Sequence, residues 1–138
     1  MLLLNYYAMN RNFLAVGALF AALSVALGAF AAHSLRSVLP AEAVAVFETG
    51  VRYQFFHGFA LLIIGIAPEK FSGKWISRAG DCFIAGIVLF SGSLYTLTIL
   101  RLLNTTSAIK YVGIITPFGG LFFIAGWVFF FFAALKKR

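Results

Sequence analysis

Glu48-Thr49-Gly50-Val51-Arg52-Tyr53-Gln54-Phe55-Phe56-His57 decides how this chain folds. The stretch places a carboxylate, a guanidinium, a phenol, an amide and an imidazole in a run that is otherwise long enough to cross a bilayer. Ionisable groups at membrane depth are expensive, so they are functional or carefully paired. Turned at about 100° per residue, the stretch separates into two groups. Glu48 and Arg52 share a side with Phe55, Phe56, Phe59, Leu62, Ile63 and Ile66, the side for lipid. Gly50, Tyr53, Gln54, His57, Gly58, Leu61 and Gly65 form a narrower, more polar side that faces protein. The spacing therefore predicts an interfacial ion pair, Glu48 with Arg52 in the favourable acid-first i,i+4 order, and a separate internal Tyr–Gln–His patch.

The surrounding composition supports a membrane helix here. Hydrophobic residues make up 62% of the 138 and charged residues 11%, against roughly a quarter charged in soluble domains. A soluble core of this size cannot hide that much apolar surface, so lipid is the solvent for most of it. The net charge of +7 does not indicate nucleic acid. Lys and Arg fall between apolar runs and at the ends, with no basic stripe and no basic–aromatic interleaving. The single cysteine, Cys82, has no partner for a disulfide or a zinc cluster.

Outward from the central stretch, Leu39-Pro40 reads as a helix start, since Pro suits the first turn. The pattern from Pro40 to Ala67 is compatible with one helix: an interfacial part over 40–49, then a span over 50–67 that stops before Pro68. The preceding run, 13–32, is long enough to span at ~1.5 Å per residue. Gly17, Ala21, Ser24, Gly28 and Ala32 line one side of it, where small residues let a second helix approach closely. Ala29-Phe30-Ala31 has the form of a signal-peptidase site, but the run exceeds a typical h-region and more spans follow, which disfavours cleavage. Met9 offers a second start besides Met1.

Beyond the loop with Lys70, Lys74 and Arg78, a third span covers 79–100. Its small and polar side (Asp81, Ala85, Val88, Ser91, Gly92, Tyr95, Thr96) is expected to meet protein, and Phe83, Ile87, Phe90, Leu94 and Leu97 to meet lipid. A fourth span covers 116–135, with Thr116 as cap and Pro117 as first helical residue. No linker, low-complexity tract or defensible repeat divides the chain. The expected fold is all-α, a single domain of four transmembrane helices. Seven Lys and Arg (Arg11, Lys70, Lys74, Arg78, Lys136, Lys137, Arg138) against four (Arg36, Arg52, Arg101, Lys110) place both termini in the cytoplasm.

Four ordered stretches carry a family resemblance: Val25-Ala-Leu-Gly-Ala-Phe-Ala-Ala-His33, Phe47–His57, Phe90-Ser-Gly-Ser-Leu-Tyr95, and Thr116-Pro-Phe-Gly-Gly-Leu121 with Gly126-Trp127. Together they resemble the domain-of-unknown-function 423 family of small bacterial membrane proteins (uncharacterised protein family 0382), related to the eukaryotic transmembrane protein 256 family. Ala31 stands where the family pattern has Gly, a small-for-small change. The resemblance covers almost the whole chain after Met9. It implies a multi-pass protein of the cell inner membrane with no established activity, and it supplies no catalytic residues to carry over.

The polar residues therefore have to be weighed by their own chemistry. His57 lies near the middle of the second span. It is either a proton-accepting or ligand-binding imidazole with Tyr53 as partner, or a neutral ring that fixes packing by bonding a hydroxyl of span three, Ser91 or Tyr95. His33 and His57 as axial haem ligands are disfavoured by depth, since His57 lies roughly 10–15 Å deeper, and no cofactor is expected. Asp81 reads as a helix-start carboxylate beside inner-surface cations, and Cys82 as a small hydrophobe. The sequence has no Ser-x-x-Lys, no His-Glu-x-x-His, no paired membrane aspartates and no phosphate loop. The expectation is a structural or interaction role without catalysis. Its partners are the lipid bilayer and, beyond it, a second copy or another membrane protein. The alternative is a proton-coupled or small-solute transporter whose path is lined by Tyr53, Gln54, His57, Ser91 and Tyr95.

Overall fold

Helix α1 (Arg11–His33) begins at Asn10, whose side-chain oxygen accepts the N–H of Phe13 at 3.4 Å. The backbone N–H of Asn10 donates to the carbonyl of Gly65 at 3.0 Å, which ties the start of α1 to the end of α2 (Ala41–Ile66). A short 3₁₀ turn, Leu35–Ser37, connects the two. Pro40, at φ −58° and ψ 151°, sets the chain direction into α2. The computed structural model describes residues 10–67, 73–105 and 107–135. The alternative start at Met9, the helix stop at Pro68, and the cations Lys70, Lys136, Lys137 and Arg138 lie outside them.

α2 runs unbroken for 26 residues, about 39 Å at 1.5 Å per residue. The 40–49 segment is thus the first part of the same helix. α3 (Lys74–Gly86), a π-helical turn over Ile87–Ser91, and α4 (Gly92–Leu102) form one continuous rod. That rod ends in a Schellman-type cap: Asn104 adopts φ 53°, its N–H bonds the Arg101 carbonyl, and the N–H of Thr105 bonds that of Leu100. Asn replaces the more common Gly at this left-handed position. α5 (Ile109–Leu135) completes the chain.

Three stretches, Arg11–Ser37, Lys74–Leu102 and Ile109–Leu135, are long and apolar enough to cross a membrane. The polar groups of α2 keep it out of that set by composition, yet it lies antiparallel to α1 along its length. Gly65 sits against Leu14, Gly58 against Gly17 and Phe20, and Val51 against Gly28. A Cβ on Gly17 would come within 2.8 Å of the Gly58 carbonyl, and one on Gly65 within 2.8 Å of the Leu14 nitrogen. Backbone therefore meets backbone, as small residues permit between membrane helices. The result is an all-helical bundle of four rods, in which α1 pairs most closely with α2 and α3 with α5.

Two expectations are corrected by the packing. In the third rod the buried side holds Ile76, Ala79, Gly80, Phe83, Gly86, Ile87, Ser91, Ser93, Leu94 and Thr98, while Asp81, Val88 and Thr96 are exposed. Phe83, Ile87 and Leu94, expected to face lipid, are core. A bulky apolar side chain is equally at home against acyl chains and against protein, so hydrophobicity does not choose between those faces. The π-turn also shifts the phase of the seam partway along, as its Gly92 N–H to Ile87 carbonyl bond shows. The second correction concerns α5, which starts seven residues before Thr116, so that Pro117 lies inside it. In hydrocarbon an unpaired peptide group costs several kcal/mol, and extending the helix through Ile109–Ile115 leaves only the bond that Pro117 cannot donate. Thr116 bonds across to the third rod. Ser93 Oγ donates to the Phe90 carbonyl at 2.8 Å and so has no proton left, which makes Thr116 the donor to Ser93 at 2.7 Å.

Candidate functional site

Gln54 and His57 leave α2 on its inward side, nine-tenths or more buried, three residues apart. They serve two different contacts. Gln54 Nε2 donates to the carbonyl of Phe20 on α1 at 3.1 Å, and its Oε1 accepts from the Tyr95 hydroxyl on α4 at 3.0 Å. One amide therefore ties three helices together. The Phe20 carbonyl also accepts from Ser24 Oγ at 2.8 Å, in addition to its bond within α1. Tyr95 is held for this bond by the ring of Phe47, with centroids 4.7 Å apart, and by Gly50, where a Cβ would lie 2.8 Å from Tyr95 Cε1.

His57 sits on the other side of this node. Its ring stacks on Phe123 of α5 at 3.5 Å between centroids and 10° between planes, with Phe83 of α3 at 5.4 Å. Nδ1 lies 2.8 Å from the Tyr53 carbonyl, and Nε2 lies 3.1 Å from Trp127 Nε1. A carbonyl oxygen only accepts and an indole N–H only donates. The ring must therefore carry its proton on Nδ1 and present a lone pair at Nε2, which makes it the neutral Nδ1–H tautomer. A second proton on Nε2 would point at the indole N–H.

The structure thus relocates several expected residues. Tyr53 contributes its backbone carbonyl to His57. Its side chain is 39% exposed and stacks on Phe90 and Phe123 at the seam between α2, the π-turn and α5. Tyr95 partners Gln54. Ser91 is fully buried in the π-turn, and its Oγ has no hydrogen-bond partner among the described residues. The partner of His57 is Trp127 on the fourth rod. Glu48 pairs with Arg36 at 2.8 Å, which corrects the expected Glu48–Arg52 pair: the α1–α2 link brings Arg36 back over the first turns of α2. His33, the last residue of α1, is exposed. With Gly28 opposite Val51 it stands level with about Val46, roughly 16 Å along the axis from His57. Trp127 could have been found from its chemistry, because an indole N–H in an apolar run needs an acceptor and His57 is among the few available. Arg36 had no such signal, since its contact depends on the path of the link.

Tyr95→Phe and Gln54→Leu are expected to destabilise the detergent-solubilised protein by about 1–2 kcal/mol each, with the double variant well short of the sum because they share one bond. Equilibrium unfolding followed by circular dichroism measures this, and strict additivity would show that the bond does not form.

Comparison with known proteins bears on most of the chain. Residues 27–120 match the family described as "Protein of unknown function (DUF423)". The UPF0382 membrane protein YwdK of Bacillus subtilis (strain 168) is 41% identical over 127 residues, covering 91% of this chain and 98% of that one. The UPF0382 membrane protein of Haemophilus influenzae is 35% identical over 130 residues, covering 94% and 98%. The UPF0382 inner membrane protein YgdD of Escherichia coli (strain K12) is 36% identical over 124 residues, covering 87% and 89%. No solved structure matches. With four helical rods among the described residues, three of them long and apolar enough to span, and with relatives aligned over nearly their full length, this chain is a multi-pass membrane protein of the DUF423 (UPF0382) family.

Proposed function

We propose that this protein acts in the cell inner membrane without catalysis, through a structural or interaction role, with both termini in the cytoplasm. The observation that carries this reading is the state of His57. Both its ring nitrogens are committed to protein groups, Tyr53 O and Trp127 Nε1. A histidine that relays protons must exchange them with water or with another titrating group, and here each neighbour is a fixed donor or a fixed acceptor. Gln54 is likewise occupied at both ends. Gln54, His57 and Tyr95, three of the five residues that a transport path would use, serve as interhelical ties instead. The placement of the termini rests on the excess of Lys and Arg on their side.

Two measurements test the role. In proteoliposomes under a pH gradient, His57→Phe is expected to leave proton flux at the level of the unsubstituted protein. Cysteines placed singly at 57 and 91, in a Cys82→Ala background, are expected to resist a water-soluble thiol reagent. A flux that His57→Phe abolishes, together with rapid labelling at both positions, would establish the transporter alternative.

A further inference from the structure

Arg52 presents an unusual combination of depth and isolation. Opposite about Leu27 on α1, it lies some six residues short of His33, about 9 Å below the end of that helix at 1.5 Å per residue. Among the described residues it makes no ion pair and no hydrogen bond, because the nearby carboxylate, Glu48, is held by Arg36. A guanidinium at this depth extends toward the headgroup layer and requires a counter-charge. Its alkyl stem borders a groove between α1 and α2 of about 390 Å³, lined by Ser24, Val25, Gly28, Val51 and Phe55 beside Glu48 and Arg52. Gly28 keeps that groove open: a Cβ there would meet Val51 Cγ1 at an ordinary 3.7 Å, so the two helices do not need this glycine for close approach, unlike Gly17. By the Gly28–Val51 register Arg52 starts level with Leu27, so Val25 and Phe55 line the groove below it, while Glu48, paired with Arg36, lines the end nearer the headgroups.

We infer that this groove binds a phospholipid, with the phosphodiester beside Gly28 and Val51 on the outward-extended Arg52 guanidinium and an acyl chain along Val25 and Phe55 below it. Guanidinium and phosphate match in charge and in bidentate geometry. The phosphate supplies the counter-charge that the fold itself gives to Arg36–Glu48 but not to Arg52. The apolar part of the groove supplies selectivity for an amphiphile over a free anion.

Native mass spectrometry of the protein extracted from membranes in mild detergent tests the site directly. The unsubstituted protein is expected to retain one phospholipid, with retention falling at least tenfold in Arg52→Gln and in Gly28→Leu, which fills the groove. Arg101→Gln, an exposed cation at the same end of the bundle and outside the groove, should retain it. After delipidation, added phosphatidylglycerol should raise the melting temperature of the unsubstituted protein and not that of Arg52→Gln, while inorganic phosphate should raise neither. Equal retention by the unsubstituted protein and Arg52→Gln would overturn the site, and a shift with inorganic phosphate matching that with phosphatidylglycerol would reduce it to a simple anion contact. A retained lipid in a folded Gly28→Leu protein, at the level of the unsubstituted one, would likewise remove the groove from the account.

Discussion

Gly119→Ala is expected to lower the stability of the solubilised protein by about 1–3 kcal/mol, the range for overpacking a well-filled interior. A Cβ on Gly119 of α5 would sit 2.7 Å from Phe90 Cα and closer still to the Phe90 nitrogen. That neighbour is backbone, not the far end of a movable side chain, so α5 has to move off the third rod or the rod has to deform. The location explains the severity. Phe90 belongs to the π-helical turn Ile87–Ser91, whose wider coil brings the backbone outward toward α5, and a glycine opposite is what accommodates it. Gly113→Ala, elsewhere on α5, is the matched control. A Cβ there meets nothing within 4 Å, and Ala is favoured over Gly in a helix by up to about 1 kcal/mol, so this variant should be neutral or slightly stabilising. Denaturant titration followed by circular dichroism measures both. Equal effects from the two substitutions would mean that the close approach at the π-turn does not exist.

The second large effect is expected at the His57–Trp127 contact, in a double-mutant cycle. His57→Phe preserves the flat ring against Phe123 but leaves the Trp127 N–H without an acceptor, and Trp127→Phe leaves His57 Nε2 without a donor. Each single change strands a polar group, at a cost of about 1–3 kcal/mol. The double change strands neither, so it should cost clearly less than the sum, with a coupling near the 0.6–1.7 kcal/mol seen for interhelical hydrogen bonds in membranes. In ¹⁵N spectra the His57 ring should report the Nδ1–H tautomer, because Nδ1 faces the Tyr53 carbonyl. Zero coupling, or the Nε2–H tautomer, would contradict the arrangement of donor and acceptor described above.

How far such contacts can be anticipated depends on the residue. The inward placement of Gln54, His57, Gly58, Leu61 and Gly65 on α2 follows from helical periodicity, because polar and glycine positions there share one side and the exposed Phe55, Phe56, Phe59, Ile63 and Ile66 share the other. Tyr53 broke the pattern. It lies at the border of the polar side, and its ring turned to the surface because Phe90 and Phe123 offered a stacking face there. The third rod misled more thoroughly. Small and polar residues were expected inside and bulky apolar ones outside, yet Phe83 is among the most completely buried side chains. The glycine that receives it lies on another helix: a Cβ on Gly126 would come within 2.6 Å of the Phe83 ring. Large residue and small residue are complementary across an interface, so neither is interpretable from its own helix alone. Glu48 shows the same limit for charge, since an i,i+4 neighbour was available and a residue twelve positions away took the contact.

The amino-acid sequence by itself determined that this is a membrane protein built of helices. Apolar length answers directly to bilayer thickness, and a peptide group in hydrocarbon has no partner except within its own helix or in a closed barrel. Only the tertiary structure decided which polar group satisfies which. Lipid is as apolar as a protein core, so the hydrophobic pattern carries little information about which bulky face is buried. The bonds from Gln54 to Phe20, from Tyr95 to Gln54, and from Trp127 to His57 depend on the register between helices, which no local spacing encodes.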